Sequence, residues 1–293
     1  MLSKEEFAAF KAKYPNRAVA TSQYNYDDLA AIYSNARTDY IVPMPMNGKR
    51  MQEYVTAYDI DLDLSIVAID PLDDEPNGIC MLGVRENRTW ITRLGVIPER
   101  RRRKSGEFLL RAELEKSIQY NKDLVQLEVI VGNEPAHYLF TKLGFRETRE
   151  LLVIRRPPGA VDSGLIPDGA VIKEMPESEI MNYLEQRESG AAWTEETVSL
   201  RNVGNLRGLI VTFSDNEIGW VVFQKAVFQL SHFVLSPNVS PKMTGALIAA
   251  VHQQFPMQDT KVENVPSNHY SWSLYEKCGY VVAFRRIEMI LEL

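Results

Sequence analysis

Leu94-Gly95-Val96-Ile97-Pro98-Glu99-Arg100-Arg101-Arg102-Arg103-Lys104-Ser105-Gly106-Glu107-Phe108-Leu109-Leu110 passes from an apolar strand end, through a dense cationic turn, into the start of a helix. Residues 100–104 are all basic and stand just ahead of a helix N-terminus, whose unsatisfied N–H groups already carry partial positive charge. Without a partner that arrangement is electrostatically unfavourable, and a phosphate-rich ligand would relieve it. The stretch predicts a strand, an anion cradle and a helix in succession.

Working outward, residues 62–69 nearly alternate between apolar and polar, and residues 78–84 and 89–97 are β-rich runs joined by Glu86-Asn87-Arg88, so an antiparallel meander leads into the cradle. Before it the chain is mostly helical: apolar spacing predicts helices over 4–13, opened by a Ser3 to Glu6 capping box, over 26–36, and over 46–58 after the Pro43/Pro45 break. After it, Leu110, Leu114 and Ile118 form one stripe of a helix over 106–120. A strand over 125–131 follows, then a helix capped by Asn133 with Pro135 in its first turn and Gly144 as its stop, and a strand over 145–154.

Arg155-Arg156-Pro157-Pro158-Gly159-Ala160 cannot extend a helix or a central strand and marks a linker, after which the same order of elements begins again. It comprises a strand at 171–175, a helix at 176–186, a poorly patterned segment to 206, a second meander over 209–235, a helix at 242–254, a strand at 261–265, a helix at 268–277 and a strand pair at 281–291. The repeat holds at residue level. Asn133, Ala136, Leu139, Phe140, Lys142, Gly144 and Phe145 are echoed by Asn268, Ser271, Leu274, Tyr275, Lys277, Gly279 and Tyr280. The second copy lacks the cradle, since residues 235–242 hold one basic side chain, Lys242. Three parts are expected: 1–156, a linker at 157–164, and 165–293.

The composition, 45% hydrophobic and 25% charged over 293 residues, is that of a globular protein with room for two cores. A net charge of −6 disfavours a nucleic-acid partner, so the arginine run reads as a local site. Two cysteines, Cys80 and Cys278, make no disulfide framework and suit a reducing cytoplasm. No apolar run approaches the ~18–20 residues of a bilayer span, and the N-terminus reads as unprocessed. His137, His232, His252 and His269 have no metal-ligand spacing, so no metal is expected.

At these residues the chain resembles the GCN5-related N-acetyltransferase (GNAT) superfamily, in a form with two tandem domains. The resemblance rests on the loop Arg101-Arg102-Arg103-Lys104-Ser105-Gly106, similar to the family's Arg/Gln-x-x-Gly-x-Gly/Ala but with Lys104 in place of its first glycine, and on the Asn-x-x-Ala-x-x-Leu-aromatic-x-Lys-x-Gly-Phe block at 133–145. It covers 60–150 well and 165–293 in outline. It implies an α/β fold in which each domain is a mostly antiparallel sheet with a splayed wedge, flanked by helices.

It also implies acetyl-CoA as cofactor, held by Arg101, Arg102, Arg103, Lys104, Ser105, Gly106 and Glu107 at the pyrophosphate. Leu94, Gly95 and Val96 would lie along the pantetheine arm, with Asn133, Ala136 and Phe140 on the other side of the wedge. Ser105 is a candidate N-cap. The implied activity is direct attack on the thioester by a small amine, in the first domain only. Many members place a proton-donating tyrosine where this chain has Phe140, and Tyr138 lies about 200° round the helix from it. Glu128, a carboxylate in a strand beside the wedge, is the candidate general base, a solvent-facing position being its bland alternative. Phe140 and Lys104 keep open a non-catalytic acyl-CoA-binding or regulatory role. A homodimer is one expected assembly.

Overall fold

The computed structural model describes residues 4–293, so the expected Ser3 to Glu6 capping box lies outside the described residues. The chain divides into two units, Met1–Thr148 with Ile287–Leu293, and Arg149–Arg286.

The first unit runs α1 (Lys4–Lys13), β1 (Arg17–Ala20), α2 (Tyr26–Asn35), α3 (Gly48–Ala57), β2 (Ile66–Ile69), β3 (Pro76–Arg85), β4 (Arg88–Val96), α4 (Ser105–Gln119), β5 (Leu124–Ile130), α5 (Glu134–Lys142) and the opening of β6 (Arg146–Arg156). Its strands lie in the order β1-β2-β3-β4-β5, antiparallel except for the parallel β4–β5 pair. Local chemistry starts the helices. Asn25, Asn47 and Asn133 each accept a backbone N–H three residues on, at 2.8, 2.9 and 3.4 Å. The strand expected over 62–69 contracts to β2, because Asp61 Oδ1 takes the N–H groups of Asp63 and Leu64 at 2.9 Å and turns the chain there.

Helix α4 lays Phe108, Leu109, Leu110, Ala112 and Leu114 against Cys80, Leu82, Ile91, Leu127 and Val129, whereas Ile118, expected on the same stripe, is 40% exposed. Met289 and Leu291, near the chain's end, complete this core. Each such side chain contributes about 1.5–3 kcal/mol of burial.

The second unit takes the rest of β6, then β7 (Val171–Glu174), α6 (Ile180–Leu184), α7 (Thr197–Val203), β8 (Leu206–Thr212), β9 (Ile218–Lys225), β10 (Gln229–Leu235), α8 (Pro241–Gln254), β11 (Asp259–Pro266), α9 (Ser271–Lys277) and the start of β12 (Val281–Glu292). Strand order is β6-β11-β10-β9-β8-β7, with β10–β11 the parallel pair. Four expectations change. Residues 157–164 lie inside this unit, because β6 runs on to Arg156, whose guanidinium donates to Cys278 O, Gly159 O and Ala160 O at 2.7, 2.9 and 2.9 Å and ties the Pro-Gly stretch down. The strand pair at 281–291 is one strand, β12. The poorly patterned segment holds α7 and the fully buried Trp193. The helix expected from Asn268 begins at Ser271, behind His269, whose Nδ1 bonds Ser271 Oγ at 2.8 Å.

What positions a site is common to both units. Strands β4 and β5 pair only from Arg88↔Leu124 to Ile91↔Leu127, and β10 and β11 only at Gln229↔Asp259 and Leu230↔Thr260. The register slips just beyond, where Arg93 (φ 53°) and His232 (φ 54°) turn left-handed, the geometry of a β-bulge. Each unit is therefore a mostly antiparallel sheet that opens into a wedge. No helix among the described residues is long and apolar enough to cross a membrane.

Candidate cofactor site and acceptor pocket

A short 3-10 turn, Pro98–Arg100, leads from β4 into the loop, where Arg102 (φ 66°) and Lys104 (φ 62°) are both left-handed. Alternating backbone of this kind curls successive N–H groups inward into an anion-binding nest. Among the described residues, the N–H groups of residues 102–107 have no acceptor. Lys104 occupies the N-cap position and its side chain makes no cap. Ser105, the candidate cap, is the first helical residue instead; it is buried, and its Oγ donates to Asn16 Oδ1 at 3.3 Å. At Gly106 an added Cβ would lie 3.4 Å from Val96 Cγ2 and 3.9 Å from Leu139 Cδ2, so the fold itself does not demand glycine. What the missing Cβ provides is room for a ligand to approach the nest closely.

The cationic run is not left uncompensated, as its isolated reading implied. Arg100 forks onto Asp73 at 3.0 and 2.9 Å, Arg101 onto Asp39 at 2.6 Å through both nitrogens, and Arg103 pairs with Asp70. Hydrogen bonds from Arg101 and Arg100 hold the Asp39 and Asp73 carboxyls below the usual carboxylate range. Arg102 makes no ion pair among the described residues. These carboxylates arrive from distant parts of the chain, so residues 100–104 alone could not reveal them. What the loop offers an anion is therefore its backbone N–H groups more than net charge. Lys104 Nζ lies 3.4 Å from Glu107, whose buried carboxylate also takes Lys142 Nζ at 3.0 Å and the Arg111 guanidinium. Burial pushes the Glu107 carboxyl up, but the Arg111 and Lys142 bonds outweigh it and the net shift is downward.

Along the wedge, Leu94 O accepts from Arg37 Nη2 and Val96 O from Arg101 Nε, both at 3.2 Å, while Asn133 Nδ2 donates to the Tyr40 hydroxyl at 3.1 Å. Residues 37–40 thus reach both walls of the wedge. Gly95 is explained by the end of α2, since a Cβ there would sit 3.0 Å from Ala36 Cβ. Ala136 is half-buried against the core, and Phe140 is 5% exposed with its ring 6.0 Å from that of Phe145.

Glu128 faces an aromatic cluster that sequence reasoning missed. Trp90 Nε1 donates to Glu128 Oε2 at 2.8 Å, and the Tyr54 ring lies 4.9 Å from Tyr58 and 6.2 Å from Trp90. Arg93 stacks over Tyr54 at 4.0 Å and donates to the Tyr33 hydroxyl at 2.9 Å. Burial drives the Tyr54 phenol up to about 12, against the opposing charge of Arg93, so it stays protonated and bonds Thr92 Oγ1 at 2.6 Å. The Tyr54/Tyr58 i,i+4 pair was the available signal. His137 pairs with Glu147 at 2.7 Å, away from this group. Among the described residues no cluster of three or more potential ligands could hold a metal.

In the second unit the equivalent helix start is already satisfied. Ser240 caps α8, and the Glu217 carboxylate takes Ser240 N at 2.6 Å and Ser240 Oγ at 2.9 Å, so the chain's own anion stands where a phosphate would bind.

Two wedged α/β units in one chain define a tandem GNAT fold. By sequence, residues 29–145, which lie in the first unit, match the model of the acetyltransferase (GNAT) family. No curated protein matches the sequence. Among solved structures, a GCN5-related N-acetyltransferase from Sphaerobacter thermophilus is similar, with a TM-score of 0.71 at 17% identity over 94% of this chain and 95% of that one. So is a tandem GNAT protein from the clavulanic acid biosynthesis pathway, with a TM-score of 0.68 at 14% identity over 94% and 98%.

Proposed function

We propose that the first unit transfers the acetyl group of acetyl-CoA to a small amine. The observation that carries this reading is the run of acceptor-free N–H groups at residues 102–107, opening at the mouth of the β4–β5 wedge. These N–H groups, with Arg102, would hold the pyrophosphate; the strand edge at Leu94, Gly95 and Val96 would hold the pantetheine arm, with Asn133 opposite. Bound acetyl-CoA supplies an activated thioester. Glu128, steadied by Trp90, accepts the amine proton through water. The carboxylate among Tyr54, Tyr58 and Trp90 favours a cationic amine, which aromatic faces also attract. Phe140 has no proton to give, so the departing thiolate would take its proton from water. Two free, buried cysteines support a cytoplasmic location.

Acetyl-CoA should raise the melting temperature, Gly106→Glu should abolish that rise, and some member of an amine panel should accelerate CoA release. The core position of Phe140 favours a second reading, acyl-CoA binding without transfer. A thermal shift with no thiol release across a broad panel would establish that reading instead.

A further inference from the structure

The wedge of the second unit, where the start of α8 is closed by Glu217, contains a cleft of about 230 Å³ between the diverging ends of β10 and β11. That is just below the ~300–1,000 Å³ of typical small-molecule sites, enough for a small metabolite. Tyr275 lines it, is 3% exposed, and its hydroxyl makes no hydrogen bond among the described residues. Burial raises the phenol far above its usual range, so the hydroxyl stays protonated and is free to donate into the cleft.

Arg187 lines the same cleft. One of its terminal nitrogens donates to the backbone carbonyl of Glu195, while its buried Nε has no acceptor among the described residues. The neighbouring carboxylates have partners of their own. Glu195 holds His232 Nδ1 at 3.1 Å, and Glu263 holds Arg286 at 2.8 Å and Lys261. Glu188 lies exposed at the rim. The cleft thus offers the Tyr275 hydroxyl and the Arg187 guanidinium as donors, the second of them cationic and forked.

From these two donors and the enclosed space, we propose that the second unit's wedge binds a small carboxylate, with its oxygens on the Arg187 guanidinium and the Tyr275 hydroxyl. A planar carboxylate matches the guanidinium fork, whereas the larger dianionic phosphate would crowd Glu195 and Glu263. This site is separate from the nest at residues 102–107 and does not depend on acetyl transfer.

The test uses the full chain in calorimetric titrations with acetate, succinate, benzoate and L-glutamate, with inorganic phosphate and acetyl-CoA as controls. At least one carboxylate should bind saturably. Tyr275→Phe, which removes only the hydroxyl, and Arg187→Lys, which keeps the charge but loses the fork, should each weaken it about tenfold or more. Gly106→Glu should leave that affinity unchanged while losing the acetyl-CoA response. The proposal is overturned if no carboxylate binds, if both cleft variants bind as well as wild type, or if phosphate binds equally tightly. Circular dichroism confirms that each variant is folded, and Tyr275→Phe alone suffices should Arg187→Lys unfold.

Discussion

Glu113 sits inside α4 with no exposed surface, and burial pushes its carboxyl well above the ordinary range, the charge of Lys116 opposing. A folded-state pKa above the unfolded one gives stability that is fully present below the unfolded pKa and lost as pH rises through the folded pKa. Glu113→Gln, which resembles the protonated acid, should therefore lie within about 1 kcal/mol of wild type at neutral pH. The wild type should lose melting temperature faster than the variant as pH is raised; parallel curves would refute the assignment. Gly106 makes a different point. Because a Cβ meets only ordinary contacts there, Gly106→Ala should stabilise the ligand-free protein by up to about 1 kcal/mol through helix propensity while weakening acetyl-CoA binding. A loss of stability would mean that the glycine serves the fold. For Glu128, replacement by Gln should lower kcat/KM about 10²–10⁴-fold and leave the acetyl-CoA thermal shift intact. A loss of less than about tenfold would remove it from proton transfer.

At the scale of elements, the two units use the same helix start for opposite ends. Helix α4 begins on an open nest with a left-handed lysine, which costs about 1–2 kcal/mol in backbone strain. Helix α8 begins with a serine cap and a carboxylate, both satisfied within the chain. Glu217→Ala should therefore lower stability by about 1–2 kcal/mol, seen as a fall in denaturant midpoint at constant m-value. An unchanged midpoint would show that solvent satisfies the Ser240 N–H equally well. The ion pairs around residues 100–104 keep the nest in place when no ligand is bound, each worth little on its own at the surface.

At the scale of the whole molecule, the last residues belong to the first unit. Met289 is fully buried in a core built, apart from Leu291, from residues 7–145. Met289→Ala should cost about 2–5 kcal/mol and speed hydrogen exchange in α4, although α4 and the substituted residue are far apart in sequence. If exchange rose only in the second unit, the assignment of residues 287–293 would fail.

The chain's periodicity, caps and stop signals were sufficient to place most of its helices, both meanders and the duplication, and to single out the basic loop at residues 100–106 that the second copy lacks, because these are decided by neighbours a few residues apart. Only the tertiary structure could show that Asp39, Asp70 and Asp73 neutralise the arginine run, that Trp90 bonds Glu128 beside Tyr54, that Phe140 lies in the core, and that Arg187 and Tyr275 converge on a second cleft. Each of those facts depends on groups brought together across long loops, where the pairing is set by the packing of sheets and helices and leaves no period in the sequence.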